Sequence, residues 1–340
     1  MPALGAGMAV NLKDYGTWRG KCKFAFSALF VLHAAPAFAD GFDLKLRDDF
    51  DAGAFSPAGG LFYKNNAEQA SGQVEFQSGA GREGKGALTL SVRPGCKLDE
   101  ENCSERAEVW EKTETFSNYD REVWYAFSMK LAEPIPQDDH RYVMAQWKRA
   151  IRPGAAGDYS PFLALRLSKG RLTATVEGDE TVAFDPGSPE RPSGCLNGEG
   201  HANSRLDLRQ TRTLVAIEEG SSFQDYDGFA QCAPKIQVIA RGPGLPKADS
   251  GWVAFVFAVR PGPRGGGHIE IAANGKWVAT VLGRFGHQGA GLGPTQYFKF
   301  GPYRAAHDGV WTIHYDAFRR GPACADVTTP DLCKSMGAEP

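Results

Sequence analysis

A chain of 340 residues with 42% hydrophobic and 11% aromatic side chains is long enough to bury a sizeable core, and 41 Gly and 21 Pro scattered at short intervals suit many strands joined by turns. A formal net charge of −2 excludes a surface that is basic overall, so an anionic polymer would have to be met by positive charge gathered in a cleft. No sustained 3.6-residue periodicity, internal repeat or low-complexity tract is visible beyond the first 39 residues, and one large all-β domain is predicted.

Residues 1–39 read as a secretory signal peptide. Lys13, Arg19, Lys21 and Lys23 precede an apolar run over 24–35, and Ala37-Phe38-Ala39 offers the small residues of a cleavage site. His33 and Pro36 interrupt the run, which argues against stable membrane insertion, and Met8 is an alternative start. Removal of this segment takes away four positive charges and one negative, moving the net charge from −2 to −5. A secreted or periplasmic monomer is expected, with no nucleic-acid partner.

Cys22 leaves with the leader, and Cys96, Cys103, Cys195, Cys232, Cys324 and Cys333 remain. Six cysteines allow 15 pairings. Proximity in sequence favours Cys96 with Cys103, Cys324 with Cys333 and Cys195 with Cys232, in keeping with an oxidising compartment. No Cys-x-x-Cys or paired-His spacing supports a zinc site instead. The domain is expected over 40–323, followed by a disulfide-tied tail over 324–340.

In chain order, residues 42–46 alternate as an edge strand, then 74–76 and 87–92 form short strands around a Gly-rich turn. A strand over 105–112 places Arg106, Glu108 and Trp110 on one face and Ala107 and Val109 on the other, so Arg106 and Glu108 can pair or jointly hold a sugar. The apolar strand over 123–129 ends at Pro134 and Pro136. In the strand over 142–148, Tyr142, Met144, Gln146 and Lys148 share a face, and Arg149 and Arg152 extend it into a basic cluster. Residues 162–167 and 172–176 form a hairpin about Lys169-Gly170. A long loop holding His201 is expected over 185–233, with a short strand at 214–217 inside it. The apolar strand over 252–259 is central, and Asn274-Gly275 turns a further hairpin. A flexible Gly-rich loop over 283–293 carries His287, and 311–319 is the last strand.

Between these last two lies Tyr297-Phe298-Lys299-Phe300-Gly301-Pro302-Tyr303-Arg304. Period-two alternation puts Tyr297, Lys299 and Tyr303 on one face, with Gly301 leaving room for a ligand to approach the backbone, and Phe298 and Phe300 on the other. A merely solvated strand face is the bland alternative.

Arg106-Ala107-Glu108-Val109, Gln146-Trp147-Lys148 and 297–303, in this order, resemble the three signature strands of jelly-roll polysaccharide lyases. Alginate lyases of that fold carry Arg-x-Glu-Leu, Gln-x-His and Tyr-Phe-Lys-x-Gly-x-Tyr. The surrounding residues, such as Trp124 to Ser128, look closer to the heparin-lyase-like and glucuronan-lyase-like group. The resemblance implies a β-jelly-roll sandwich of two antiparallel sheets and β-elimination on a 4-linked uronate polysaccharide. Lys148 stands where the family usually has His, and Trp110 where alginate lyases have a second Arg.

For that chemistry, Gln146 and Arg106 suit neutralisation of the uronate carboxylate, and Tyr297 is the expected proton carrier because nearby cations favour a phenolate. Lys148 and then His140 are further candidate bases. Lys299, Tyr303, Arg149 and Arg304 are expected to bind the anionic polysaccharide, with Glu108 orienting Arg106. Neither metal nor organic cofactor is required, although a structural calcium ion is compatible. The rival readings are a noncatalytic carbohydrate-binding sandwich and a glycoside hydrolase, the latter weakened by the absence of a Glu-x-Asp-x-x-Glu strand.

Overall fold

Residues 41–339 of the computed structural model are described, apart from 83, 98–102, 156–158, 180–200, 208–209, 227 and 230; for 201–207, 231, 232 and 234 the description is of the backbone alone. The first half of the chain supplies β1 (Leu46–Asp48), β2 (Leu61–Tyr63), β3 (Gly72–Ser78), β4 (Gly86–Val92), β5 (Glu105–Arg106), β6 (Val109–Glu111), β7 (Ser117–Asn118), β8 (Val123–Leu131), β9 (Tyr142–Ile151) and β10 (Leu163–Ser168). The second half adds β11 (Arg171–Gly178), β12 (His201–Asp207), β13 (Gln210–Ile217), β14 (Gln231–Ala240), β15 (Val253–Arg260), β16 (Gly267–Ala273), β17 (Lys276–Gly283), β18 (Leu292–Arg304) and β19 (Trp311–Gly321).

These strands build a jelly-roll sandwich of two antiparallel sheets. The front sheet runs β2, β6, β18, β9, β10, β11, β13, β12, with β5 and β7 continuing the line of β6 along β18. The back sheet runs β3, β4, β19, β8, β15, β16, β17, β14, and β1 also pairs with β19. Pairing of β12 with β14 joins the two along one edge.

Period-two alternation decides what each strand buries. Tyr125, Phe127, Phe255 and Phe257 from the back sheet meet Trp147, Phe298 and Phe300 from the front sheet in one core, each worth about 2–3 kcal/mol of burial. The intervening residues of the back sheet, Trp124, Ala126, Val256 and Ala258, form a second apolar patch on its outer side. The tail covers that patch: the short helix α1 (Pro330–Ser335) and its flanks pack Leu332, Met336 and the Cys324–Cys333 disulfide onto it. The double variant Cys324→Ser/Cys333→Ser is expected to lose about 2–3 kcal/mol of stability in urea unfolding, because the bond closes a loop between cysteines 9 positions apart and the freed tail no longer holds the patch. A loss below about 0.5 kcal/mol would mean that apolar packing alone retains the tail.

Both expected hairpin turns are present, with Lys169 and Gly170 at φ 48° and 74° and Asn274 and Gly275 at 49° and 74°. Their positive φ values match the right-handed strand twist. Cys96–Cys103 and Cys324–Cys333 are bonded, whereas the pair expected between Cys195 and Cys232 and the expected leader lie outside the described residues. Among the described residues, no helix is long and apolar enough to cross a membrane.

Several local expectations are corrected. Residues 42–46 are not a strand: the chain enters as a 3-10 turn, Gly41–Asp43, because Gly41 lies against the backbone of Thr115 and Phe116, and pairing begins at Leu46. The strand expected over 105–112 is broken after Arg106, where the Gln69 amide takes the N–H of Glu108 at 2.6 Å and donates to its carbonyl at 3.3 Å. In β9 a register shift against β10 turns Tyr142 and Met144 to the core, so only Gln146 and Lys148 of that expected face point outward. Within the loop expected over 185–233, β12 and a longer β13 are strands, and β14, unforeseen, is the edge partner of β17. His287 is fully buried, since Arg149 donates to the His287 and Gly293 carbonyls at 2.7 Å and ties the segment down.

Candidate active site

The outward face of β18, β9, β10, β11 and β13 forms a cleft of about 610 Å³. Among the described residues, Arg106, Arg141, Lys148, Arg166, Arg212 and Lys299 line it, against a single lining carboxylate, Asp139. Positive charge is thus concentrated in one groove of a chain that is anionic overall.

Ladder register brings the central residues together: Lys299 of β18 lies opposite Gln146 of β9, and Tyr303 opposite Arg106 of β5. Glu108, 1% exposed, sits beneath them as the organising anion. Its carboxylate accepts from the Gln146 amide at 2.5 Å and from the Lys299 ammonium at 2.8 Å. Glu108 therefore holds Gln146 and Lys299, not Arg106 as expected. Arg106 instead bonds Ser104 at 3.0 Å, approaches Glu68 at 3.7 Å and lies over the Tyr303 ring at 4.3 Å. Arg141 covers the same ring at 4.9 Å. Burial lowers the Lys299 ammonium to a pKa of about 8, with Glu108 opposing and the nearby Lys148 charge adding to the shift.

Tyr297 is placed differently from expectation. Its ring is stacked between Phe116 at 4.7 Å and Trp110 at 5.4 Å, leaving it 7% exposed and off the cleft wall. Burial, with the Glu108 charge, pushes its hydroxyl well above the usual phenol range, the reverse of the phenolate that nearby cations were expected to favour. The Trp110 ring also carries the Lys299 and Lys64 ammonium groups at 4.3 and 4.0 Å. Tyr303, the other tyrosine of this motif, does line the cleft.

Gly301 serves the backbone instead of a ligand. At φ 130° it forms part of a bulge between Phe300 and Tyr303, and a Cβ there would lie 2.0 Å from the Ala107 carbonyl oxygen. Arg304 is not a substrate ligand either: it is 1% exposed, paired with Glu105 at 2.5 Å and bonded to the Gly309 carbonyl at 2.8 Å. Arg149 lies on a separate cavity of about 590 Å³ with its guanidinium spent on backbone carbonyls. His140 stands exposed at the cleft rim.

Sequence reasoning missed a second charged layer at the far end of the cleft. Arg166 and Arg212 both bond one oxygen of the fully buried Glu177 at 2.8 Å. Burial raises the Glu177 carboxyl, but Arg212 and Arg166 outweigh it and hold the group below the usual range. A signal existed: Arg166 interrupts an apolar run at the alternate position to Leu165 and Leu167, as Glu177 does beyond Val176.

Comparison with known proteins agrees with the geometry. A family profile described as polysaccharide lyase matches residues 51–319. An endo-β-1,4-glucuronan lyase from the fungus Trichoderma reesei superposes with a TM-score of 0.52 at 15% identity, covering 84% of this chain and 98% of that one. An alginate lyase gives a TM-score of 0.36 at 12% identity, covering 82% and 97%. At these identities the first likeness shows the fold alone, and the second carries no argument. No match is found among curated proteins.

Proposed function

The chain belongs to the polysaccharide lyase family, and on that premise we propose that it is a secreted enzyme cleaving a 4-linked uronate polysaccharide by β-elimination. The observation that carries this reading is the placement of Tyr303, which lies under two guanidiniums in a cation-lined cleft that Gln146 also lines. A uronate carboxylate in this cleft meets Arg106, Lys148 and the second N–H of the Gln146 amide. Their positive charge offsets the negative charge that gathers on the carboxylate as the C5 proton leaves. Tyr303, entering as the phenolate, takes that proton, the C4–O4 bond breaks as the C4=C5 bond forms, and the resulting hydroxyl delivers the proton to the departing O4 and returns to the phenolate. Lys299 and Glu108 act from below by fixing Gln146.

Two disulfides support an oxidising compartment. Among the described residues, the cleft wall holds one carboxylate, whereas retaining and inverting hydrolysis both need a pair. Incubation with glucuronan, alginate, heparin or pectate is expected to raise the ultraviolet absorbance of an unsaturated uronate with at least one polymer. New reducing ends without that absorbance would indicate a hydrolase. Saturable binding with no product would indicate a carbohydrate-binding sandwich.

A further inference from the structure

The start of β9 and the end of β18 lie side by side, with Arg304 opposite Tyr142 and the Ala305 N–H bonded to the Arg141 carbonyl at 3.2 Å. The segments flanking these strand ends therefore meet at one rim of the cleft. There Asp138, His140 and His307 converge, with one potential ligand atom from each lying within 4.8 Å of the others. His307 Nε2 is 3.2 Å from Asp138 Oδ2, and His140 Nε2 is 4.0 Å from Asp138 Oδ1.

Neighbouring groups orient these atoms. A carbonyl only accepts, so the contact between His307 Nδ1 and the Asp308 carbonyl oxygen places the ring proton on Nδ1. In the neutral ring Nε2 then carries a lone pair. The Asp138 carboxylate is held from two sides, by the His140 backbone N–H at 3.0 Å and the Tyr142 hydroxyl at 3.0 Å. Outer partners of this kind, a backbone carbonyl on the far imidazole nitrogen and donors on the carboxylate, are what fix metal ligands in place.

Two acceptors facing each other across 3.2 Å need positive charge between them. A proton would suffice for two groups, but a third donor atom converges on the same space. Zinc bonds of about 2.0–2.2 Å at a tetrahedral angle set neighbouring ligand atoms about 3.3 Å apart, close to the spacing of the first pair. The half-exposed His140 side chain can close the remaining distance.

We propose that Asp138, His140 and His307 form a binding site for a divalent cation of the zinc class at the cleft rim. Two imidazoles and one carboxylate select such a cation over calcium, which prefers an all-oxygen shell. Three protein ligands leave a fourth position for water or another oxygen. The ion ties the segment that enters β9 to the segment that leaves β18, separated by about half the chain, which is why no short-range spacing announced it.

Titration calorimetry with zinc chloride on full-length protein, stripped of metal and free of a polyhistidine tag, tests the site. One zinc per chain is expected to bind with a micromolar or lower Kd, undisturbed by millimolar calcium. His140→Ala and His307→Ala are each expected to weaken that binding by about tenfold or more. His140 is exposed, so its variant separates ligand loss from misfolding, and thermal melts of both metal-free variants check their folds. Absence of saturable zinc binding, or binding within twofold of wild type in both variants, would overturn the site and leave a proton-mediated contact. The readout does not depend on lyase activity.

Discussion

Substitution of Tyr303 by Phe is expected to lower kcat by about a hundredfold or more while leaving substrate affinity within about threefold. Phe keeps the ring on which the Arg106 and Arg141 guanidiniums rest, at 4.3 and 4.9 Å, and removes only the hydroxyl. A group that acts in proton transfer loses rate by this change, whereas one that only binds sugar raises KM at constant kcat. The companion variant is Tyr297→Phe. Its ring remains stacked between Phe116 and Trp110, its hydroxyl titrates too high to serve as a base near neutrality, and kcat is expected to stay within about fivefold of wild type. Steady-state kinetics on the polymer that the parent cleaves decide the matter: full activity in Tyr303→Phe with loss in Tyr297→Phe would return the proton to Tyr297.

The exchange of roles between the two tyrosines shows what a strand pattern reveals and what it hides. Period two correctly separated Phe298 and Phe300, which are in the core, from Lys299 and Tyr303, which face the cleft. It could not show that Trp110 from β6 and Phe116 from the following turn lie over Tyr297, because those neighbours come from elsewhere in the chain. Trp110 stood out in sequence only as a departure from the alginate-lyase pattern, and its indole is one of the two rings stacked on Tyr297. Register shifts are the second blind spot. Met144 carries no mark in sequence of turning inward, and Gly301 reads as a space for ligand until the Ala107 carbonyl is found against it.

Turns were legible because their chemistry is local. Lys169-Gly170 and Asn274-Gly275 need only their own φ preferences, and both form as expected. Long-range polar latches were not legible. Gln69 reaching the backbone of Glu108, 39 residues away, breaks a strand whose alternation looks continuous. Arg149 and Arg304 have the charge of substrate ligands, and only the carbonyls around them show that the fold has already used it.

Glu108→Ala is expected to destabilise the fold by about 3–5 kcal/mol, the largest stability effect of any site substitution. The carboxylate and the Lys299 ammonium it holds at 2.8 Å are 1% and 2% exposed, so truncating Glu108 strands a cation away from water. The penalty has a defined pH dependence. Burial already lowers Lys299 to about 8 against an ordinary 10.5, and loss of Glu108, which opposes that shift, lowers it further. Between the folded and unfolded values the unfolded chain binds more protons, so the variant gains stability as pH rises. Relative to wild type, its deficit is full below the lowered value and shrinks as pH rises to about 8, above which both proteins bury a neutral amine and gain stability alike. Adding Lys299→Met removes the stranded cation and should recover at least half of the loss at pH 7, since a buried pair replaced by apolar groups is often near neutral. Both variants lose activity, because Gln146 has lost its anchor in each, and so stability and turnover separate in the double variant. Urea unfolding at pH 7 and pH 10 measures the effect. A Glu108→Ala cost below 1 kcal/mol, or one that grows with pH, would mean that the pair is not the buried charge lock on which the cleft floor rests.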